Sequence, residues 1–207
     1  MDVKLDSNTT VSLEGTPANL LSLVDSLSEH LKKQHRVIRS LSIDGVDIQP
    51  QEMQSIGERP VDESADVVVT SEEASAFAAR LLDELEDVLP ELPAACHALA
   101  AVFQGNEPTE GYEPFRQLTE IWSVVKARQL EAADALDFSL EEVRVEGMSM
   151  QRMHEELNNI LEEAGYALQT NDCVLLGDLL EYELAPRAQQ EAEIASALRQ
   201  RIAQLSA

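Results

Sequence analysis

The run "DCVLLGDLLEYELAPRAQQ", Asp172 to Gln190, gathers the residues best placed to do chemistry. Its carboxylates Asp178 and Glu181 stand three apart, so on a helix they share one narrow strip. Two oxygen ligands on one strip are the start of a magnesium, manganese or calcium site, and they are equally the wet or ion-paired side of a packed helix. Glu183 precedes Arg187 by four residues, the favourable order for a helical ion pair. Leu176, Leu180 and Leu184 form one apolar stripe, and Leu175, Leu179 and Tyr182 form another. A helix with two apolar sides is either central in a bundle or presents one stripe to a partner chain. The stripe of Leu176, Leu180 and Leu184 is the candidate interface. Pro186 lacks an N–H, so it removes one helical hydrogen bond and should bend the exit.

Other constellations fall short of a reaction. A ferritin-like di-metal site needs Glu-x-x-His on two helices, but Leu27, Lys32, Ala94 and Gln151 stand three before the four histidines. "MHEELNN" begins like a zincin helix, yet Asn158 replaces the second histidine and leaves His154 as a partly exposed helix residue. Cys96 and His97 are neighbours, and neighbours on a helix point about 100° apart, so a structural thiol is the better reading. Cys173 lies far from Cys96 with no CxxC spacing, which removes a zinc framework or redox pair. The glycines are isolated, with no phosphate loop and no G-x-S-x-G elbow. Aromatic residues make up only 4% of the chain, a poor supply for stacking bases or sugars. Met153 fits a core register, while Met148 and Met150 suit either core or an adaptable groove. The run "LLGDLLEYELAP" resembles the C-terminal segment of uncharacterised bacterial proteins over a small part of the chain, and the resemblance implies no activity.

Composition narrows the partners. The 207 residues are 44% hydrophobic and 26% charged, a balance that suits a folded protein. Fifteen Lys and Arg face 39 Asp and Glu for a net charge of −24, and nine basic and 27 acidic residues follow Thr70. Such a surface repels phosphate backbones and anionic lipid, so neither nucleic acid nor a membrane is expected as a partner. The start "MDVKLDSNTT" lacks the features of a signal peptide, and "AACHALAAVF" is too short to span a bilayer. The expectation is a soluble, cytoplasmic protein.

The elements that must position these residues fall into two regions. In residues 1–70, "VKLD" and "VSLEG" read as strands around the turn-like "SNTT". Thr16 and Pro17 suit a helix start, followed by Leu20, Leu23, Val24, Leu27 and Leu31 on one face. "RVIRSLSIDGVDI" returns to strand chemistry, with Val37, Arg39, Leu41 and Ile43 on one face and Asp44-Gly45 as a hairpin turn. "DVVVT" supplies a last strand. The order of a hairpin, a helix and further strands is similar to the β-grasp arrangement. Residues 71–207 read as an antiparallel bundle, so the fold class is α+β. Capping-box patterns occur at Thr70 with Glu73 and at Ser139 with Glu142. The first helix carries Phe77 to Leu89 and stops at Pro90. A second runs from Leu92 to Gln104 with Leu92, Ala95, Leu99, Val102 and Phe103 inward. A third starts near Glu113 and presents Phe115, Leu118, Ile121, Trp122, Val125 and Leu136. "EEVRVEGMSM" fits a short strand or an interrupted helix, and helix resumes from Ser149 before Asn171 caps the last one.

Three functions compete. The first is a non-enzymatic interaction or scaffold protein without a cofactor, binding another protein or forming a homodimer through its final helix. The second is a divalent-metal binder or metal-dependent enzyme using Asp178 and Glu181. The third is an acidic adaptor or chaperone for a basic or amphipathic segment.

Overall fold

Alternating apolar residues at the start of the chain build a sheet, and 3.6-residue periodicity takes over after it. The computed structural model describes residues 1–6, 9–13, 15, 17–49, 52–62 and 64–205, and the chain divides into two compact units, Met1–Phe77 and Ala78–Ala207.

In the first unit, β1 (Asp2–Leu5) pairs antiparallel with β2 (Thr9–Ser12), and α1 (Leu20–Lys32) follows. β3 (Arg36–Ile43) and β4 (Val46–Ile48) form a hairpin, a short α2 (Met53–Ile56) intervenes, and β5 (Val67–Glu73) closes the sheet. The strand order is β2-β1-β5-β3-β4, with β1 parallel to β5 and β3 antiparallel to it. This is a β-grasp arrangement: an opening hairpin, a helix and a last strand slotted between the first and third. Leu20, Leu23, Leu27 and Leu31 of α1 join Val3, Leu5, Leu41, Val67 and Val69 of the strands in one core. Asp44 (φ 53°) and Gly45 (φ 77°) adopt the left-handed conformations that a two-residue hairpin turn requires.

Three local expectations shift. Thr16 lies outside the described residues; α1 begins at Leu20, where Asn19 accepts from the Ser22 N–H while the Ser22 hydroxyl accepts from Asn19 N–H. A bulge between Ile38 and Ser40 breaks the alternation of β3, so Ile38 joins the core side with Leu41 and Ile43, and Arg39 turns outward. Thr70 and Glu73 are strand residues rather than a helix cap. The Arg36 guanidinium donates to Ser71 Oγ and to Glu73 Oε1, both at 2.7 Å, and this cross-strand grip carries β5 three residues past Thr70.

α3 (Ala74–Asp83) leads into the helical unit. It ends before Pro90, and Leu85 and Leu89 are buried from the turns that follow. α4 (Leu92–Phe103) buries Cys96 and Ala100 beside Leu92, Leu99 and Phe103, leaving Ala95 and Val102 on its outer side. α5 (Tyr112–Ala135) packs Phe115, Leu118, Trp122 and Val125 inward, with Ile121 exposed. "EEVRVEGMSM" resolves as a tight hairpin, β6 (Arg144–Val145) with β7 (Met148–Ser149), turning through Glu146 and Gly147 at positive φ. Ser149 caps α6 (Met150–Thr170), Met150 is buried and Met148 exposed. α7 (Cys173–Asp178), a π-helical turn (Leu179–Leu184) and α8 (Ala185–Leu205) complete the unit. Among the described residues no helix is long and apolar enough to cross a membrane.

Candidate functional site: the last helix and its polar core

The chain changes direction at Asn171, which takes the left-handed conformation (φ 56°) and closes α6. Capping of α7 falls to Asp172, whose carboxylate accepts the Leu175 N–H at 3.0 Å. Tyr112 pins the corner by donating to Asn171 Oδ1 at 2.9 Å, with the Cys173 thiol 3.8 Å from its hydroxyl. The contact with Cys173, then burial, raises the tyrosine pKa.

From Leu179 to Leu184 the helix widens, and the Ala185 N–H reaches five residues back to the Leu180 carbonyl. Pro186, which has no N–H to offer, follows directly. This wide turn changes the angular phase between α7 and α8, and it decides which side chains point inward. Leu176, Leu180 and Leu184 are all fully buried inside the unit. The other sequence-derived stripe splits: Leu179 is buried, but Tyr182 is 64% exposed. Val174 is 71% exposed, and Asp178 stands between Val174 and Tyr182 at four-residue spacing. The outer strip of the helix is therefore Val174, Asp178 and Tyr182.

Glu181 is half-buried and accepts from Nε2 of Gln104, the residue that follows α4, at 3.1 Å. Gly177 permits that crossing, because a Cβ there would lie 2.9 Å from Gln104 Cγ. Asp178 does not join it. Among the described residues, no group of three or more His, Cys, Asp or Glu side chains stands together as a metal site would need. Cys96 is fully buried, and burial pushes its thiol pKa up to about 12, while His97 is exposed on another side of α4.

The same helix carries a buried polar ladder. Arg187 pairs with Glu191, Nη1 to Oε1 at 2.7 Å, both closed off from solvent; Glu183 is exposed. The other Glu191 oxygen accepts from Gln129 Nε2 of α5 at 2.7 Å, and Gln129 Oε1 meets His154 Nε2 of α6 at 2.7 Å. With the amide so oriented, His154 donates from Nε2 as a neutral imidazole. Burial first, then the positive charges of Arg187 and Lys126, press the His154 pKa down to about 4. Burial raises the Glu191 pKa against the pull of Arg187, and burial lowers that of Arg187 against the pull of Glu191. The ladder ties α5, α6 and α8 together. His154 is thus a core group rather than the partly exposed residue its flanks suggest. The i,i+4 spacing of Arg187 and Glu191 is visible in the sequence; their link to Gln129 and His154 is a product of the tertiary fold.

No curated protein and no solved structure matches the chain. Residues 1–71, spanning the sheet and its helix, match the family described as TP0873 N-terminal domain. Residues 80–193 cover more than half of the chain, including the wide turn, the outer strip and the polar ladder, and on that match the chain belongs to the family described as Domain of unknown function (DUF8042).

Proposed function

We propose that this chain is a non-enzymatic protein-interaction protein whose helical unit binds a basic, amphipathic segment of a partner along the outer strip of α7 and the π-helical turn. One observation carries the reading. Val174 and Tyr182, 71% and 64% exposed, flank an Asp178 carboxylate that has no ion-pair partner among the described residues, on a helix locked in place by three buried leucines. Large apolar groups fixed on rigid backbone serve as contact anchors, because little side-chain entropy is lost when they are covered. With nine basic and 27 acidic residues after Thr70, a second copy of the same strip would be repelled and a cationic segment attracted.

The interface thus moves from the leucines to the outer strip of the same helix. Cys96 and His154, buried with strongly shifted pKa values, offer neither an accessible nucleophile nor a base poised near neutral pH, which also supports a binding role. The test is isothermal titration of the full chain with a synthetic helical peptide patterned from lysine and leucine. The expected result is saturable binding that weakens by about tenfold in the Val174→Ser, Tyr182→Ser double variant, a loss of about 1.4 kcal/mol. Equal affinity in the variant, or no binding by the wild type, would remove the proposal.

A further inference from the structure

The β-grasp unit has an opening of its own. A cavity of about 230 Å³ lies at the β3–β4 end of the sheet, walled by Leu20, Ile43, Ile48, Ile56 and Val61. Val46, on the same face of β4 as Ile48, also lines it and is 63% exposed, so the apolar core reaches solvent at this corner. Its size is below that of a small-molecule or cofactor pocket, which usually starts at about 300 Å³, and suits a single side chain.

Two further features say what would enter. Among the described residues β4 is the last strand on its side of the sheet, paired only with β3. The ladder starts at the Ile43–Val46 pair that closes the two-residue turn, and in antiparallel alternation the next residue, Asp47, turns its N–H and C=O outward. An outward-facing donor and acceptor on a sheet edge are complementary to an extended backbone and to little else. Three charged side chains line the cavity. Asp44 accepts the Asp66 N–H at 2.8 Å, and Asp62 accepts the N–H and hydroxyl of Ser64 at 2.8 and 2.6 Å. The Arg59 guanidinium has no hydrogen-bond or ion-pair partner among the described residues, and only its backbone is engaged, the carbonyl accepting from Leu20 N–H at 3.0 Å.

We infer that this corner is a docking site for an extended peptide segment of a partner, which adds to the edge of β4 at Asp47, places one aliphatic side chain in the cavity and gives a neighbouring carbonyl oxygen to Arg59. The pleat makes these contacts compatible. A residue on the core face of an added strand lies beside Val46 and Ile48, over the cavity mouth, and its flanking carbonyls lie along the rim.

The site is separate from the outer strip of the helical unit, so each can fail without the other. The test is an amide NMR titration of the full chain with a soluble, end-blocked peptide that alternates Val or Ile with Ser or Thr. Saturable shifts are expected at Val46, Asp47, Ile48, Arg59 and Val61, with a dissociation constant no weaker than about 1 mM. Asp47→Pro, which removes the outward N–H without taking a ladder bond from β3, and Arg59→Met, which keeps the aliphatic stem, should each weaken binding several-fold. The spectrum of each variant away from β4 should stay unchanged and so report an intact fold. A peptide methylated at the backbone nitrogens should fail on the wild-type chain, a control that needs no protein variant. Absence of saturable shifts, shifts centred elsewhere, or full binding of the methylated peptide would overturn the inference.

Discussion

His154 is held neutral by its surroundings: packed helices exclude water, and Arg187 and Lys126 oppose a further positive charge. The folded pKa of about 4 lies below the ordinary histidine value of 6.5, so on acidification the unfolded chain takes up the proton first. The stabilising contribution is complete above pH 6.5 and is lost progressively as the pH falls from there to about 4, amounting to about 3 kcal/mol. Urea unfolding at a series of pH values should show that loss. His154→Gln should flatten the profile in the same window while the carboxylate-driven fall at lower pH remains. An unchanged slope in His154→Gln would mean the imidazole is not the group responsible.

Within the last helix, burial and exposure differ sharply between neighbours. Leu180→Ala removes a fully buried side chain and should cost about 2–5 kcal/mol, whereas Tyr182→Ser on the outer strip should stay within about 0.5 kcal/mol, both read from denaturant midpoints. A large loss at Tyr182 would show that the outer strip is packed against something within the chain. Much of this architecture was legible beforehand. The leucine spacing of α1 and most of the apolar register of α5 mark their buried faces, and Asp44-Gly45 marks the hairpin. What the sequence could not show are one-residue changes of phase. The bulge in β3 swaps the core side from Val37 to Ile38, and at the wide turn before Ala185 Glu183 and Tyr182 lie outside while Arg187 is buried with Glu191. A fixed period of 2 or 3.6 residues carries no term for such insertions. The polar ladder was hidden for another reason: Gln129, His154 and Glu191 come from three helices, and nothing local marks any of them as buried. Thr70 and Glu73 fit a helix cap locally, and the grip of Arg36 from across the sheet overrides that preference.

At the scale of the molecule, charge dominates. A net charge of −24 makes each folded unit repel itself, and the ion pairs that Arg128 makes with Glu84 and Arg199 with Asp83 and Glu86 offset this only locally. Raising ionic strength shortens the Debye length from about 30 Å at 0.01 M to about 8 Å at 0.15 M. The thermal midpoint should therefore rise with sodium chloride over that range, whereas a fall would mean that the ion pairs outweigh the repulsion. The same excess of carboxylates selects the partner in our account, steering a cationic segment to a helix that presents Val174, Asp178 and Tyr182 outward. The most direct test of that claim is a charge exchange across the interface, measured by isothermal titration. Asp178→Lys should weaken the lysine–leucine peptide about tenfold, and a peptide with Glu in place of the facing Lys should recover most of the loss on the variant while binding the wild type poorly. If the exchange restores nothing at any lysine position, Asp178 does not face the bound segment and the outer strip is not where this protein binds.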